Sequence, residues 1–391
     1  MNGGSIRLAT PVAATTQLNV QGNGTIDFSG STQSVAQIAG NSTTATVNIA
    51  NGSLTTTQNT NSTFAGTLAG HGSFTKSGTG NLNLTGTNTY TGPTTVNGGT
   101  LSVNGSIVSP LNVTSGGTLG GTGTVGNTTI SSGGVWAPGN SIGTQTVSGN
   151  VTFASGSVFA VEANAAGQSD RINATGTATI GAATVQIIAA AGSYAPLTNY
   201  TVLTAQGGIS GTFAGVTSNL AFLTPFLSYN SNTVLLTLGR NDISFASQAT
   251  TANQRAVANA IQGRSLGDLV YNAVLSQTAT SAQSAFAELS GEIHASLTAI
   301  LVDSNRRISD AVLARGVQDS GDGYGMWVQG LQSYTDQRSQ PGIANIESNR
   351  TGVYGGVDYT SNGFRVGLSG GYFNDAVGLP GRQSRANIDT K

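Results

Sequence analysis

The feature that most restricts the fold is a recurring Gly-Gly turn among very short alternating segments. Asn97-Gly98-Gly99-Thr100-Leu101 returns as Ser115-Gly116-Gly117-Thr118-Leu119 and then as Ser132-Gly133-Gly134-Val135-Trp136, at spacings of 18 and 17 residues. Thr94–Asn97, Thr100–Val103, Gly123–Val125 and Thr128–Ile130 alternate apolar with small polar residues over three to five positions. β-branched side chains favour strands, and the Gly, Asn and Ser between them mark turns. Strands this short, on a period near 20, predict one coil of a parallel β-helix per repeat. Each coil brings a few inward apolar residues, neighbouring coils complete the core, and Asn and Thr ladders satisfy side-chain hydrogen bonds. A β-sandwich competes, but its strands are longer and nothing in it requires Gly-Gly at this period.

Charge divides the chain. Residues 1–150 carry three charged side chains, Arg7, Asp27 and Lys76; residues 151–240 carry four; residues 241–391 carry the other 24. The first part is not disordered by composition, because disordered chains are charged and poor in Val, Ile and Leu. The net charge of −1 excludes a strongly basic nucleic-acid binder. No cysteine is present, which removes disulfides, thiolate metal sites and Cys nucleophiles. The N-terminus lacks a basic start with an apolar core, so no signal peptide is read there. No run of 18 apolar residues predicts a transmembrane helix, and a transmembrane β-strand stays open.

Longer runs follow: Ser157–Glu162, Thr184–Ile188, Tyr200–Leu203 and Thr233–Leu238, with Asp170-Arg171 as an isolated charged pair before a turn. These predict a cap over residues 151–240 that covers the open strand edges of a β-helix. The composition then changes to helix. Thr251-Ala252-Asn253-Gln254 and Thr280-Ser281-Ala282-Gln283 fit capping boxes, and Glu292–Gly316 has no Pro or internal Gly. That span is roughly 37 Å long as a helix. Its apolar Ile293, Leu297, Ile300, Leu301, Ile308 and Val312 are mixed with Asp303, Arg306, Arg307, Asp310 and Arg315. An amphipathic helix on a soluble domain is one reading; a helix inside a polar pore is the other.

Tyr324–Tyr334, Thr351–Thr360 and Phe364–Asn374 have the length and alternation of outer-membrane strands. Phe364, Val366, Leu368 and Tyr372 share one face, and Arg365, Gly367, Ser369 and Gly371 the other. Tyr324, Trp327, Tyr334, Tyr354, Tyr359 and Tyr372 are the expected interfacial aromatics. A soluble β-meander is the alternative. Thr335 to Arg350 forms a long connection, and Ser361-Asn362-Gly363 a short hairpin turn. Long loops face outside and short turns face the periplasm in such barrels, so the first strand must start on the periplasmic side. A passenger lying outside then requires the chain to run inward through the pore before that strand.

A family resemblance rests on several motifs. Gly72-Ser73-Phe74-Thr75-Lys76-Ser77-Gly78-Thr79-Gly80-Asn81-Leu82-Asn83-Leu84-Thr85-Gly86, continuing through Asn88-Thr89-Tyr90-Thr91-Gly92 and Thr94–Leu101, resembles the passenger-associated repeat of bacterial autotransporters, the type Va secretion family. Ala137-Pro138-Gly139-Asn140-Ser141-Ile142-Gly143-Thr144 is similar to the coil that often follows it. Ala287–Ala295 resembles the Leu-Ser-Gly-Glu-x-His-Ala segment before the family's barrels, and Ser304-Asn305-Arg306-Arg307 its Ser-x-Arg helix. Met326–Gly330, Gly355–Asp358 and Gly367–Tyr372 are similar to its first barrel strands.

The resemblance implies a mainly β chain: a right-handed parallel β-helix stem over 1–150, an autochaperone-like cap over 151–240, and a helical linker over 241–320 with a pore helix at 292–316. The first strands of a β-barrel follow at 321–391. It implies a 12-stranded barrel, of which this chain reaches the fourth strand. A fragment or truncated gene is the expectation, without signal peptide, most of the barrel or the C-terminal aromatic.

Catalytic chemistry is not expected. The two histidines are His71, in a Gly-rich turn without a nearby acid, and His294, in the helix motif. No nucleophile elbow, P-loop, zinc-protease motif or calcium repeat occurs. A β-helix pectin lyase needs clustered Asp, Arg and Lys, which three charges cannot provide. Some family members cut themselves between adjacent Asn residues in the helix; the corresponding Val302-Asp303-Ser304 has no such pair. The expected function is surface display, from the outer membrane of a Gram-negative bacterium, of a passenger with an adhesive or structural role. No catalytic, metal or cofactor residue is assigned. The expected partners are outer-membrane lipid, the barrel-assembly machinery and a host or cell-surface ligand, with no nucleic acid. The alternatives are a hydrolytic passenger with its catalytic domain upstream of Met1, and a soluble secreted solenoid.

Overall fold

The computed structural model describes residues 4–391 except Ser29, Pro196, 318–320, 338–343, 381–383 and Lys391. The chain forms two compact units, Met1–Asp242 and Ile243–Lys391.

In the first unit short strands stack in parallel into a three-faced β-helix. One face is an unbroken ladder of nine strands from Thr32–Val35 to Ile209–Thr212, and a second holds eight, from Ser62–Phe64 to Gly215–Ser218. The Gly-Gly repeat is the coil repeat: Gly99 pairs with Gly117, Leu101 with Leu119, and Leu119 with Trp136. The second glycine of each later pair lacks a Cβ for a steric reason. At Gly117 a Cβ would lie 2.3 Å from the Val96 carbonyl oxygen of the coil before. Gly99 also adopts φ +58°, where an L side chain is strained.

The core is columnar. Leu82, Leu101, Leu119, Trp136, Phe159 and Val185 stack one above another, each fully buried. Between coils, turn asparagines supply the ladder. The side-chain oxygens of Asn61, Asn104, Asn127 and Asn150 accept from the backbone N–H of Asn81, Thr122, Asn150 and Thr177 in the next coil.

The parallel stack does not stop at residue 150, where the sequence suggested a cap. Val151–Phe153 pairs in parallel with Ala178–Gly181, and Val158–Ala163 with Thr184–Ala189. The coils instead lengthen: on the nine-strand face the partners run Thr94, Leu111, Thr128, Val151, Ala178, Ile209. The larger cross-section is filled by Trp136, Phe153, Phe159 and Phe213, with ring centroids 5.4–6.0 Å apart. Only the third face ends in antiparallel pairing. Thr233–Arg240 lies between Thr198–Ala205 and Leu223–Tyr229, a hairpin that continuous apolar strands did not reveal.

Two buried charges belong to this unit. Lys76 occupies an inward column between Thr56 and Val96, and its ammonium donates to the carbonyls of Ser77, Gly78 and Gly98 at 2.9–3.1 Å. Burial lowers its pKa to about 8. Asp170, the first of the isolated charged pair before the turn, is buried. It is 1% exposed, and its two carboxylate oxygens accept from the N–H of Gly143 and Glu162.

The second unit begins with helices α1 (Ala252–Gln262), α2 (Leu269–Leu275), α3 (Ala279–Leu289) and α4 (Glu292–Val317). Thr251 and Gln254 form the expected capping box on α1. The box on α3 is Thr278 with Ser281, two residues before the position read from sequence, which leaves Thr280 and Gln283 inside the helix. Helix α2, capped by Asp268, was not anticipated because seven residues show too little periodicity. Among the described residues, Phe245, Ala249, Ala258, Ile261, Val274, Leu275, Ala282 and Phe286 are the buried apolar residues of this helical part.

Candidate functional site

Four antiparallel strands follow: Gly323–Gln337, Ile346–Ser361, Phe364–Gly378 and Arg385–Thr390. The first three exceed the sequence expectation by several residues at one end, so the connection read as Thr335 to Arg350 shrinks to 338–345, six residues of which lie outside the described set. The opposite end closes with a two-residue turn, Asn362 and Gly363 at φ +49° and +77°, the conformation an Asn-Gly hairpin supplies.

The two faces differ chemically. Tyr324, Met326, Val328, Val353, Val357, Tyr359, Phe364, Val366, Leu368 and Tyr372 point to one side and are exposed, Met326 by 84% and Leu368 by 80%. From Phe364 to Tyr372 this band covers roughly 27 Å along the strand, or ~21 Å of height at the usual tilt, close to the ~25 Å apolar belt of an outer-membrane barrel. Beyond it the same face turns polar at Gln332, Thr351 and Asn374, which the register places side by side. The extra strand length therefore stands past the apolar band, on the side of the longer connections.

Trp327 and Tyr354, expected in the interfacial girdle, lie on the other face. Tyr354 is 3% exposed, meets Trp327 edge-on at 5.4 Å and Phe373 at 5.9 Å, and donates to Gln329 at 2.8 Å. Parity gives the reason: successive side chains alternate, so Tyr324 and Trp327 cannot share a face. The same inner face holds an ion pair that the sequence reading missed. Arg350 Nε donates to Asp375 Oδ1 at 2.7 Å, and Nη2 to Oδ2 at 2.5 Å.

Helix α4 crosses this inner face from one end to the other. At the long-connection end Ile293, Leu297 and Ile300 pack on Ile346, Val377 and Leu379, and Glu292 accepts from the Ala344 N–H. Further along, Asn305, Ile308 and Val312 share a cavity with Tyr354, Ser369 and Phe373. Near the hairpin-turn end, Val312 and Leu313 line another with Trp327, Asp358 and Arg365. Arg306 and Asp310 form an exposed i,i+4 pair at 4.0 Å, while the side chains of Ser304, Arg307 and Arg315 lie outside the described residues. Length and composition alone would let the stretch Ala279–Ala314 cross a membrane as a helix. It is broken at Gly291, φ +67°, and carries Glu288, Glu292, Asp303, Arg306 and Asp310, which a lipid-facing helix does not tolerate.

The remaining candidates from sequence are dispersed. His71 Nδ1 meets the Thr91 hydroxyl at 2.9 Å in an exposed turn, and His294 is exposed on α4. Val302 and Asp303 are exposed mid-helix. Among the described residues no group of three His, Cys, Asp or Glu side chains converges on a point.

Comparison with known proteins bears on both units. The Passenger-associated-transport-repeat family matches residues 74–103, the coil holding Lys76, and the Autotransporter beta-domain family matches 326–391. An extracellular serine protease of Serratia marcescens is 29% identical over 378 residues, 79% of this chain and 36% of that protein. A second protease of that name and organism is 27% identical, over 83% of this chain and 37% of its own. The adhesin BmaC autotransporter of Brucella suis biovar 1 (strain 1330) is 48% identical over 82 residues, 20% of this chain and 2% of the adhesin. The chain thus spans little more than a third of the proteases it matches. Residues 74–103 thus match a passenger-associated repeat and lie in the β-helix, and residues 326–391 match an autotransporter β-domain, a domain type of the Gram-negative outer membrane.

Proposed function

We propose that this chain displays its β-helical passenger at the cell surface through its own barrel, with α4 filling the pore, and that the passenger is adhesive or structural. The observation that carries the reading is the direction of α4. It runs from the long-connection end of the sheet to the hairpin-turn end, where the first strand begins. Long connections face outward in outer-membrane barrels, so a chain entering from outside and leaving at the periplasm follows this path. The apolar outer band supplies the lipid contact, and the strand edges require the barrel-assembly machinery and further strands, since open edges are not tolerated in lipid. The low-charge, Thr- and Asn-rich stem offers a long regular surface for a host or cell-surface ligand, without the basic footprint of a nucleic-acid binder.

The full open reading frame, expressed and treated with protease on intact cells, tests this. Loss of residues 1–240 with protection of the region after Tyr324 supports it. Digestion of both as soluble protein refutes it in favour of a secreted solenoid. A second reading, a stem and translocator behind a hydrolytic passenger domain, is favoured by the names of the two Serratia marcescens relatives. Casein hydrolysis by the same cells, blocked by a serine-protease inhibitor, would select it.

A further inference from the structure

Resting on the reading that α4 occupies a barrel lumen, we propose that Arg350 and Asp375 are a positioning pair that keeps α4 seated and the pore closed once the passenger is outside. The two side chains are 4% and 1% exposed, and the guanidinium also lies over the Phe373 ring, 5.3 Å from its centroid. Strand register sets the pair between two rows that α4 covers: Ser348 with Val377 on one side, Gly352 with Phe373 on the other. Ile293, Leu297 and Ile300 pack at the first row, and Asn305, Ile308 and Val312 reach the second. The turn of α4 between Ile300 and Asn305 therefore passes over the pair. One guanidinium nitrogen, Nη1, is buried there without a hydrogen-bond partner among the described residues.

A buried ion pair adds little stability over apolar side chains of similar volume. Its advantage here is tolerance of two states. While the passenger passes, this part of the lumen is wet, and an apolar seat would be exposed to water. A bidentate pair is stable in water and keeps its two charge-assisted bonds when the helix covers it, with Nη1 the donor left unpaired. Removing one partner leaves a lone charge beneath α4, and that charge is relieved when the helix lifts and water enters.

The test uses the full-length protein in outer membranes, with two readouts: surface display by protease shaving, and uptake of a large hydrophilic antibiotic that intact outer membranes exclude. Arg350→Ala and Asp375→Ala are expected to leave display intact and raise uptake about tenfold, the change that about 1.4 kcal/mol of lost seating produces. The exchange Arg350→Asp with Asp375→Arg is expected to return uptake toward the parent level. Unchanged uptake in both single variants, with the passenger displayed, overturns the proposal. Where a single variant does not assemble, Arg350→Lys, which keeps the charge and loses the two-pronged grip, is judged by the same two outcomes. A parent protein that is not protected in the membrane refutes the transport reading, and this inference with it; shaving detects that independently of uptake.

Discussion

Asp170 is expected to make the β-helix more stable in mild acid than at neutral pH. Burial pushes its carboxyl up to about 7, against the two backbone N–H bonds from Glu162 and Gly143 that pull it down, and the nearby Glu162 charge adds to the rise. The unfolded chain has the ordinary value of 3.8. Between those values the folded chain holds a proton that the unfolded chain has lost. Stability then falls by about 1.4 kcal/mol per pH unit as pH rises. The contribution is complete below the unfolded value and gone once pH passes the folded one, so raising pH from 5 to 7.5 costs about 3 kcal/mol. Lys76 does not blur this window: its pKa, lowered to about 8, makes its own contribution change only at higher pH. The chain has two tryptophans, so Trp327→Phe leaves Trp136, buried in the coil that Asp170 clamps, as the reporter. In detergent, the urea midpoint followed by Trp136 emission is expected to fall by about 1 M between pH 5 and 7.5. Asp170→Asn is expected to flatten that dependence. A parent midpoint that is constant or rises with pH refutes the argument, as does an Asn variant that keeps the slope.

Lys76→Met leaves three carbonyls without their shared donor and is expected to cost about 1–3 kcal/mol of β-helix stability by urea titration. Gly99→Ala places a Cβ 2.5 Å from the Gly78 and Gly80 carbonyl oxygens at a left-handed φ, so a loss of at least about 2 kcal/mol is expected by the same assay. Leu368→Arg, in the middle of the outer apolar band, is expected to cost about 2–4 kcal/mol of barrel stability, whereas Gln332→Arg, on the same face past the band, costs about 0–1. Folding into lipid vesicles followed by heat-modifiable gel mobility separates the two, and equal penalties would mean the band is misplaced.

Sequence reading went furthest where structure is local or periodic. The Gly-Gly spacing gave the coil, because each coil needs a turn in which the previous coil's carbonyl leaves no room for a Cβ. The caps of α1 and the Asn-Gly hairpin were legible for the same reason, since their partners lie within a few residues. The length of α4 followed from the absence of Gly and Pro. The alternation of Phe364 to Tyr372 separated an apolar from a polar strand face.

Tertiary structure decided what depends on partners distant in sequence. Lys76 and Asp170 look like surface charges in a string of residues, and are buried because a neighbouring coil brings Gly98 to the one and Gly143 to the other. Coil lengthening after Val151 is set by the aromatic cluster that Phe213 completes from more than fifty residues away. Arg350 and Asp375 meet through strand register, and their burial depends on where α4 lies. Trp327 and Tyr354 show the limit of pattern most directly. Parity says that they oppose Tyr324 and Tyr359, but which face stays open and which meets the helix is settled only when α4 packs, because an aromatic ring is stable against either.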